Sequence, residues 1–197
     1  MPRAVLALPL LVLLLAGCVP TSATDEATAT RPGPTPSPTA SSTAAPSDAP
    51  TATAAPEAQP IPLSVACDQL VSAQELYDYN PNFSPAPGFS PAAGSSAATA
   101  VSLGGTACSW AHQSNGETFD ISAAQLTDAR LATAKADAAA SGTAVSTFGV
   151  EGYFGTVNGT AVAQAFSGPY WITVASPTFV EPQDAAALVS AALAGVG

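Results

Sequence analysis

Basic residues are nearly missing from this chain of 197 residues. Four lysines and arginines stand against fourteen aspartates and glutamates, so the formal net charge is -10. A protein that binds DNA or RNA needs a positive surface to neutralise the phosphates, and this composition therefore argues against nucleic-acid binding. It also argues against the folded part lying directly on anionic lipid head groups, because like charges repel.

Residues that carry hydrolytic or metal chemistry are scarce as well. His112 is the only histidine, and neither a Gly-x-Ser-x-Gly elbow nor a phosphate-binding P-loop occurs. Ser109 and Asp120 are near His112 in sequence, but residues 109 and 112 of one strand point to opposite faces. The acids lack the spacing of a calcium loop. We therefore predict no catalytic residues, no metal site and no cofactor, and a hydrolase is the least favoured function.

Aromatic residues make up only 7% of the chain, although apolar residues in total reach 47%, much of it alanine. A core built from such a composition is rich in small side chains. The length leaves room for one modest domain beside the segments that have no globular composition.

The first 17 residues have the pattern of an export signal. Arg3 precedes an apolar run over 4–16 that is too short to span a bilayer core. Residues 15–18, Leu-Ala-Gly-Cys, resemble the lipobox of bacterial lipoproteins, which implies cleavage after residue 17 and a diacylglycerol anchor, with palmitate-like acyl chains, on Cys18. We expect a lipid-anchored protein on the extracytoplasmic face of the cell membrane. An ordinary secretory signal or an uncleaved anchor is the alternative.

Residues 18–60 have the composition of a disordered tether. After the cysteine they are almost wholly Thr, Pro, Ala and Ser, with no aromatic residue, and cannot bury enough apolar surface to offset chain entropy. Prolines at 32, 34, 36 and 38 exclude helix and favour extended geometry. The segment would reach about 40 Å if coiled and about 120 Å if extended. Such a composition is also typical of O-glycosylated stalks.

Residues 61–197 predict a single α+β domain: an antiparallel sheet with helices packed mainly on one face. Helices are expected from the capping-box spacing at 72–75, from the alanine-rich run that opens at 127–128 and closes at 141–142, and over 182–194. Strands are expected over 107–113, 118–124, 145–150, 153–157, 160–166 and 170–175. Asn158-Gly159 is the strongest hairpin signal. Residues 81–105 predict a long loop, with a frayed strand near 100–103.

The cysteine count points to one disulfide. If lipid occupies Cys18, then Cys67 and Cys108 remain as an even pair in an oxidising compartment. A redox or metal-binding thiol pair is disfavoured, because Cys-x-x-Cys spacing and a second histidine are missing.

Two short sequences carry a family resemblance. Residues 67–70 are Cys-Asp-Gln-Leu at the start of a predicted helix, and residues 104–110 are Gly-Gly-Thr-Ala-Cys-Ser-Trp. Together with the lipobox and the tether, they resemble a family of actinobacterial lipoproteins of unknown function. The resemblance implies an α+β fold with a disulfide, similar to PsbP-like domains and to extracellular sensor domains of bacterial serine/threonine kinases, and it implies no catalytic residues.

The remaining candidates for a functional site are aromatic side chains. Trp110, Tyr153, Tyr170 and Trp171 either belong to the core or line a ligand groove, where Tyr and Trp suit sugar or lipid contacts. The favoured function is a non-enzymatic binding or interaction module of the cell envelope, with a glycan, lipid or protein ligand. The alternative is an extracytoplasmic sensor or accessory subunit of a membrane kinase or transporter.

Overall fold

The computed structural model describes residues 59–197. The predicted signal peptide over 1–17, the lipidation site Cys18 and the tether up to residue 58 lie outside the described residues, so these predictions stay predictions. The described residues form one seven-stranded antiparallel sheet with five helices, which confirms the predicted α+β class.

The strands follow the order β1-β2-β3-β7-β6-β5-β4 across the sheet, and every neighbouring pair is antiparallel. Their bounds are β1 Phe83–Pro85, β2 Thr106–His112, β3 Thr118–Gln125, β4 Thr143–Val145, β5 Glu151–Val157, β6 Thr160–Ser167 and β7 Tyr170–Ser176. The helices are α1 Cys67–Leu70, α2 Ala73–Tyr79, α3 Ser96–Ser102, α4 Asp128–Ser141 and α5 Pro182–Val196.

The turns that the sequence predicts most clearly are present. Asn158 and Gly159 take positive φ of 52° and 80° between the paired residues Val157 and Thr160. A two-residue hairpin of this kind needs positive φ at both positions, which Asn and Gly tolerate best. The hairpin between β2 and β3 is also where it was predicted.

One face of the sheet carries the larger core. Alternate residues of the strands point to this face, among them Trp110, Phe119 and Ile172, and α1, α2 and α5 cover them. The predicted disulfide is present between Cys67 and Cys108, with the two Cα atoms 5.7 Å apart. It joins the first residue of α1 to the middle of β2 beneath it.

The opposite face carries a second, smaller core under α3 and α4. Phe166, Trp171 and Ala124 pack there with Ala100 of α3 and Ala138 of α4. Three of the five helices therefore lie on one face and two on the other. The gap between α3 and α4 on this second face is where the candidate site lies.

Two local predictions are wrong. The stretch 81–105 is not a plain loop, because it contains β1 and the helix α3 in place of the expected strand near 100–103. Ser95 begins α3 by accepting a hydrogen bond from the Ala98 N–H at 3.1 Å, and the alanine-rich residues after it favour helix. The strand expected over 145–150 ends at Val145, and the chain then turns through Gly149, whose φ is 69°.

The N-terminal end of the described chain runs beside α3. The Leu63 N–H donates to the Gly104 carbonyl at 2.8 Å, the Thr106 hydroxyl donates to the Leu63 carbonyl at 3.0 Å, and Ile61 forms an isolated bridge with Gln125. This segment therefore enters the domain between the end of α3 and the end of β3. Across residues 59–197, the helices are all too short or too polar to cross a membrane.

Candidate functional site

A cavity of about 760 Å³ lies between α3 and α4 on the second face of the sheet. We call it the α3–α4 groove. It exists because α3 packs on β2 and β3 while α4 packs on β5, which leaves part of β6 and β7 uncovered. The residues that line it are Gly94, Ser96, Thr99, Ser102, Leu103, Thr127, Ala129, Arg130, Thr133, Ala134, Asp137, Ser141, Val157, Gln164 and Trp171.

An ion pair holds the wall formed by α4. The Lys135 ammonium lies 2.6 Å from the Glu151 carboxylate of β5 and 5.7 Å from the centre of the Phe166 ring. The bond to Lys135 is the main reason that the pKa of Glu151 is lowered. These contacts join α4 to β5 and to the second core, although exposed ion pairs add little energy singly.

Trp171 and Gln164 form the floor of the groove. The indole N–H of Trp171 donates to the Gln164 Oε1 atom at 3.1 Å. Because the amide oxygen is taken by the indole, the Gln164 amide is oriented with its NH₂ group as the remaining polar end. Among the described residues, nothing bonds to that NH₂ group. It is therefore an available hydrogen-bond donor at the floor.

A chain of three hydroxyls leads from the sheet to the groove. Ser122 and Thr173 face each other across β3 and β7 with 2.7 Å between their oxygens, and Thr173 donates to Ser96 of α3 at 3.1 Å. Since Thr173 donates its only proton to Ser96, Ser122 is the donor to Thr173. The Ser96 proton is then left for the groove, and Ser96 is its second available donor.

Four hydroxyls on the walls can only accept hydrogen bonds from a ligand. Each donates its proton to a backbone carbonyl of its own helix at 2.7 to 3.1 Å, and so it can offer only acceptor lone pairs to a ligand. They are Thr99 and Ser102 on α3 and Thr133 and Ser141 on α4. The walls therefore present acceptors and the floor presents donors.

Thr127 stands at the start of α4 with an unused hydroxyl. It is the N-cap residue of that helix, yet its side chain makes no capping bond, and its buried Oγ1 has no partner among the described residues. The lining also holds one charge of each sign, Arg130 and Asp137. Its formal charge is therefore zero, in contrast to the acidic chain as a whole.

A second cavity, about 740 Å³ and more open to solvent, lies on the other face beside the start of α5. Burial, followed by the nearby carboxylates of Asp184 and Glu117, raises the pKa of Tyr79 in its wall. Asp184 accepts the backbone N–H groups of Val180 and Glu181 at 2.7 and 3.0 Å, which lowers its pKa. Because the Asp184 carboxylate already caps the N-terminus of α5, its presence beside this cavity is explained by its role at the start of that helix.

The structure separates the four aromatic residues that were candidates for a groove. Trp110 is only 2% exposed and stacks on Phe119 at a centroid distance of 5.2 Å, so it belongs to the larger core. Tyr170 packs against the same core. Tyr153 and Trp171 lie on the second face, but the Tyr153 hydroxyl bonds to Glu151, and only Trp171 lines the groove.

His112, Ser109 and Asp120 do not assemble. Ser109 and Asp120 are cross-strand partners on the second face, while His112 lies on the first face with its ring centre 5.1 Å from that of Phe83. In residues 59–197, no three His, Cys, Asp or Glu side chains are grouped as a metal site would require.

Sequence reasoning missed most of the groove, above all its α3 wall. Ser96, Thr99 and Ser102 recur every third residue after the N-cap Ser95, which places three hydroxyls along one side of a helix. That spacing was readable, but it has meaning only once the segment is known to be helical.

The comparisons with known proteins add no family. No protein-family model, curated protein or solved structure matches this chain.

Proposed function

We propose that this protein is a non-enzymatic binding module of the cell envelope, held at the membrane through lipid on Cys18, and that its ligand occupies the α3–α4 groove. The observation that carries the proposal is the pair of unused donors, Ser96 and Gln164, in a cavity of about 760 Å³. Small-molecule sites have volumes of roughly 300 to 1,000 Å³ and combine apolar walls with a few placed polar groups.

Binding is a better account of this groove than catalysis. Its lining contains no histidine, cysteine or lysine, and its only carboxylate, Asp137, is exposed. The wall hydroxyls donate to helix carbonyls, which are not general bases, so nothing in the lining activates them as nucleophiles. The arrangement can hold a molecule, and none of the four wall hydroxyls donates to a general base.

A sensor or accessory subunit would use a flat apolar surface to contact a membrane partner. Among the described residues the exposed large apolar side chains are Tyr77, Val101, Val157 and Val180. They belong to different helices, strands and turns. A contiguous patch is what that alternative function would need, and no helix or strand carries more than one of these side chains.

The two tryptophans provide the test, because Trp171 lies in the groove and Trp110 lies in the core on the other face. Full-length protein with Trp110→Phe, in a detergent without a sugar head group, is titrated with neutral disaccharides, decanoate and a tetrapeptide. We expect one of these classes to change the Trp171 fluorescence saturably and to leave Trp171→Phe protein unchanged.

Matched variants of α4 then locate the binding. Ala134→Phe places a ring in the groove, whereas Ala132→Phe places the same ring on an exposed position of α4 outside the lining. The first variant should abolish the response and the second should retain it. If no class of probe gives a saturable change, the groove is not a binding site and the proposal fails.

A further inference from the structure

We propose that the ligand of the α3–α4 groove is an uncharged carbohydrate of one or two sugar rings. This inference rests on the proposed function and names the substrate class of the same site. It follows from three properties of the lining: the direction in which each hydroxyl donates its proton, the balance of charge, and the position of the apolar groups.

The walls require hydrogen-bond donors from the ligand. Thr99, Ser102, Thr133 and Ser141 have committed their protons to helix carbonyls and keep acceptor capacity. Both walls carry such groups, so a ligand that lies between the helices meets acceptors on each side. A hydrocarbon chain offers no donor to either side.

The floor requires acceptors from the ligand. Ser96 has its proton available because Thr173 donates to it, and Gln164 has its NH₂ group available because Trp171 binds its oxygen. An apolar occupant would displace water from both groups, at about 1 to 3 kcal/mol for each donor left without a partner. A sugar hydroxyl is both donor and acceptor and can satisfy floor and walls together.

The charge of the lining disfavours an anion. Arg130 and Asp137 cancel, and the chain as a whole is strongly acidic. A phosphate or carboxylate would bring a negative charge to a groove that has no surplus of positive charge to neutralise it. An uncharged ligand avoids this penalty.

The lining also has apolar groups that can contact the carbon faces of sugar rings. They are Leu103 after α3, Val157 on β5 and the small accessible part of Trp171, which is 6% exposed, and a sugar ring has apolar faces as well as hydroxyls at its edge. An extended peptide is less suitable, because the interior backbone groups of α3 and α4 are bonded within their helices and the groove offers no strand edge of the kind that peptides pair with.

The experiment uses full-length protein and defined probes: cellobiose, maltose and N,N′-diacetylchitobiose as neutral saccharides, with glucuronate, decanoate and a tetrapeptide as competitors of other chemistry. Binding is followed by Trp171 fluorescence in Trp110→Phe protein and by calorimetry on protein with both tryptophans. The second measurement does not depend on the folding of the tryptophan variant. We expect at least one neutral saccharide to bind and to be excluded by Ala134→Phe.

Two variants test the donors of the floor. Gln164→Glu keeps an oxygen for the Trp171 indole and removes the NH₂ donor, and Ser96→Ala removes the other donor. Each should weaken saccharide binding roughly tenfold, the equivalent of about 1.4 kcal/mol. Ser114→Ala, in the turn between β2 and β3, is the control and should bind as the unmodified protein does. Thermal unfolding of each variant establishes that it is folded.

The outcomes separate this inference from the function on which it rests. If decanoate, glucuronate or the peptide binds in the groove and no neutral saccharide does, the groove is a binding site and the carbohydrate inference is wrong. If a saccharide binds but Ala134→Phe, Gln164→Glu and Ser96→Ala leave its affinity unchanged, the inference is overturned as well. If no probe binds, the proposed function and the inference fail together.

Discussion

The hydroxyl groups of serine and threonine in this domain differ in the hydrogen bonds that they make, even at equivalent positions. Ser72 and Thr127 are both N-cap residues, of α2 and α4. The Ser72 hydroxyl accepts the Glu75 N–H at 3.3 Å, and the Glu75 carboxylate accepts the Ser72 N–H at 2.8 Å, which completes a capping box. Thr127 makes no such bond, so the two positions should respond differently to loss of the hydroxyl.

Ser72→Ala should lower the free energy of unfolding by about 1 kcal/mol, because it removes a cap that satisfies a backbone donor. Thr127→Val should change it by less than about 0.5 kcal/mol, because the valine has the same shape and the lost hydroxyl had no partner. Urea denaturation of both variants measures the difference. A loss of 1 kcal/mol or more in Thr127→Val would mean that its hydroxyl caps α4 in solution.

The Asp120 carboxyl should make the free energy of unfolding depend on pH in the acidic range. Burial raises the pKa of its carboxyl, against the opposing effect of a hydrogen bond from Ser109. The folded state therefore holds this proton more tightly than the unfolded state, in which the pKa is about 3.9. The contribution of Asp120 to stability is therefore fully present below that value and is lost as the pH rises through the folded-state pKa.

Asp120→Asn removes this titration. The variant should be as stable as the unmodified protein near pH 3 and more stable near pH 7, and urea denaturation across that range measures both. If the difference in the free energy of unfolding between the two proteins does not change with pH, the pKa of Asp120 is not raised by its burial.

At the scale of helices and strands, local signals were sufficient for prediction where one or two residues determine the geometry. The Asn158-Gly159 turn and the capping box of α2 are examples, since their conformations follow from side chains within a few residues. The short helix α3 was missed because proline, glycine and serine surround it, and its position depends on packing against β2 and β3. That packing joins residues far apart in sequence.

The four aromatic candidates are divided between the two faces of the sheet, in part for a reason that the sequence did contain. Tyr170 and Trp171 are neighbours on one strand, and successive side chains of a strand point to opposite faces. They could not both line one groove on the sheet. The faces to which Trp110 and Tyr153 belong depend on the register of other strands, which sequence alone does not supply.

The contact between α5 and α1 depends on a glycine. A Cβ atom on Gly195 would collide with the carbonyl oxygen of Gln69 and lie 3.1 Å from the Leu70 Cα atom. Gly195→Ala should therefore lower the free energy of unfolding by about 2 kcal/mol, even though alanine is the better helix former by about 1 kcal/mol.

Gly197→Ala is the control for this prediction, because its Cβ would lie at an ordinary 3.5 Å from the Leu193 carbonyl oxygen. Urea denaturation of the two variants should show a loss for the first and almost none for the second. Equal stability would mean that the two helices are farther apart than the structure places them.

At the scale of the whole domain, two separate cores lie on the two faces of one sheet, and alanine is the commonest buried residue in each. A domain of this kind gains from a covalent link. The disulfide closes a loop with a sequence separation of 41 residues, which corresponds to about 4 kcal/mol in the chain-entropy model.

Replacing Cys67 and Cys108 together by alanine should lower the free energy of unfolding by about 4 kcal/mol. Reduction of the unmodified protein is the companion measurement, because it opens the loop without removing either sulfur from the core. Urea midpoints that do not move on reduction would show that the loop is held closed by packing alone.

The same disulfide determines where a pulling force would travel. If the chain is anchored through Cys18, as the sequence predicts, tension arrives at the domain from its N-terminal side, where the contacts of Ile61 and Leu63 would peel away first. The force would next reach Cys67 and pass through the sulfur atoms to Cys108 in β2, bypassing the residues between them. Those residues include α3. One wall of the groove would thus be mechanically shielded, so that a ligand could stay bound while its anchor is under tension.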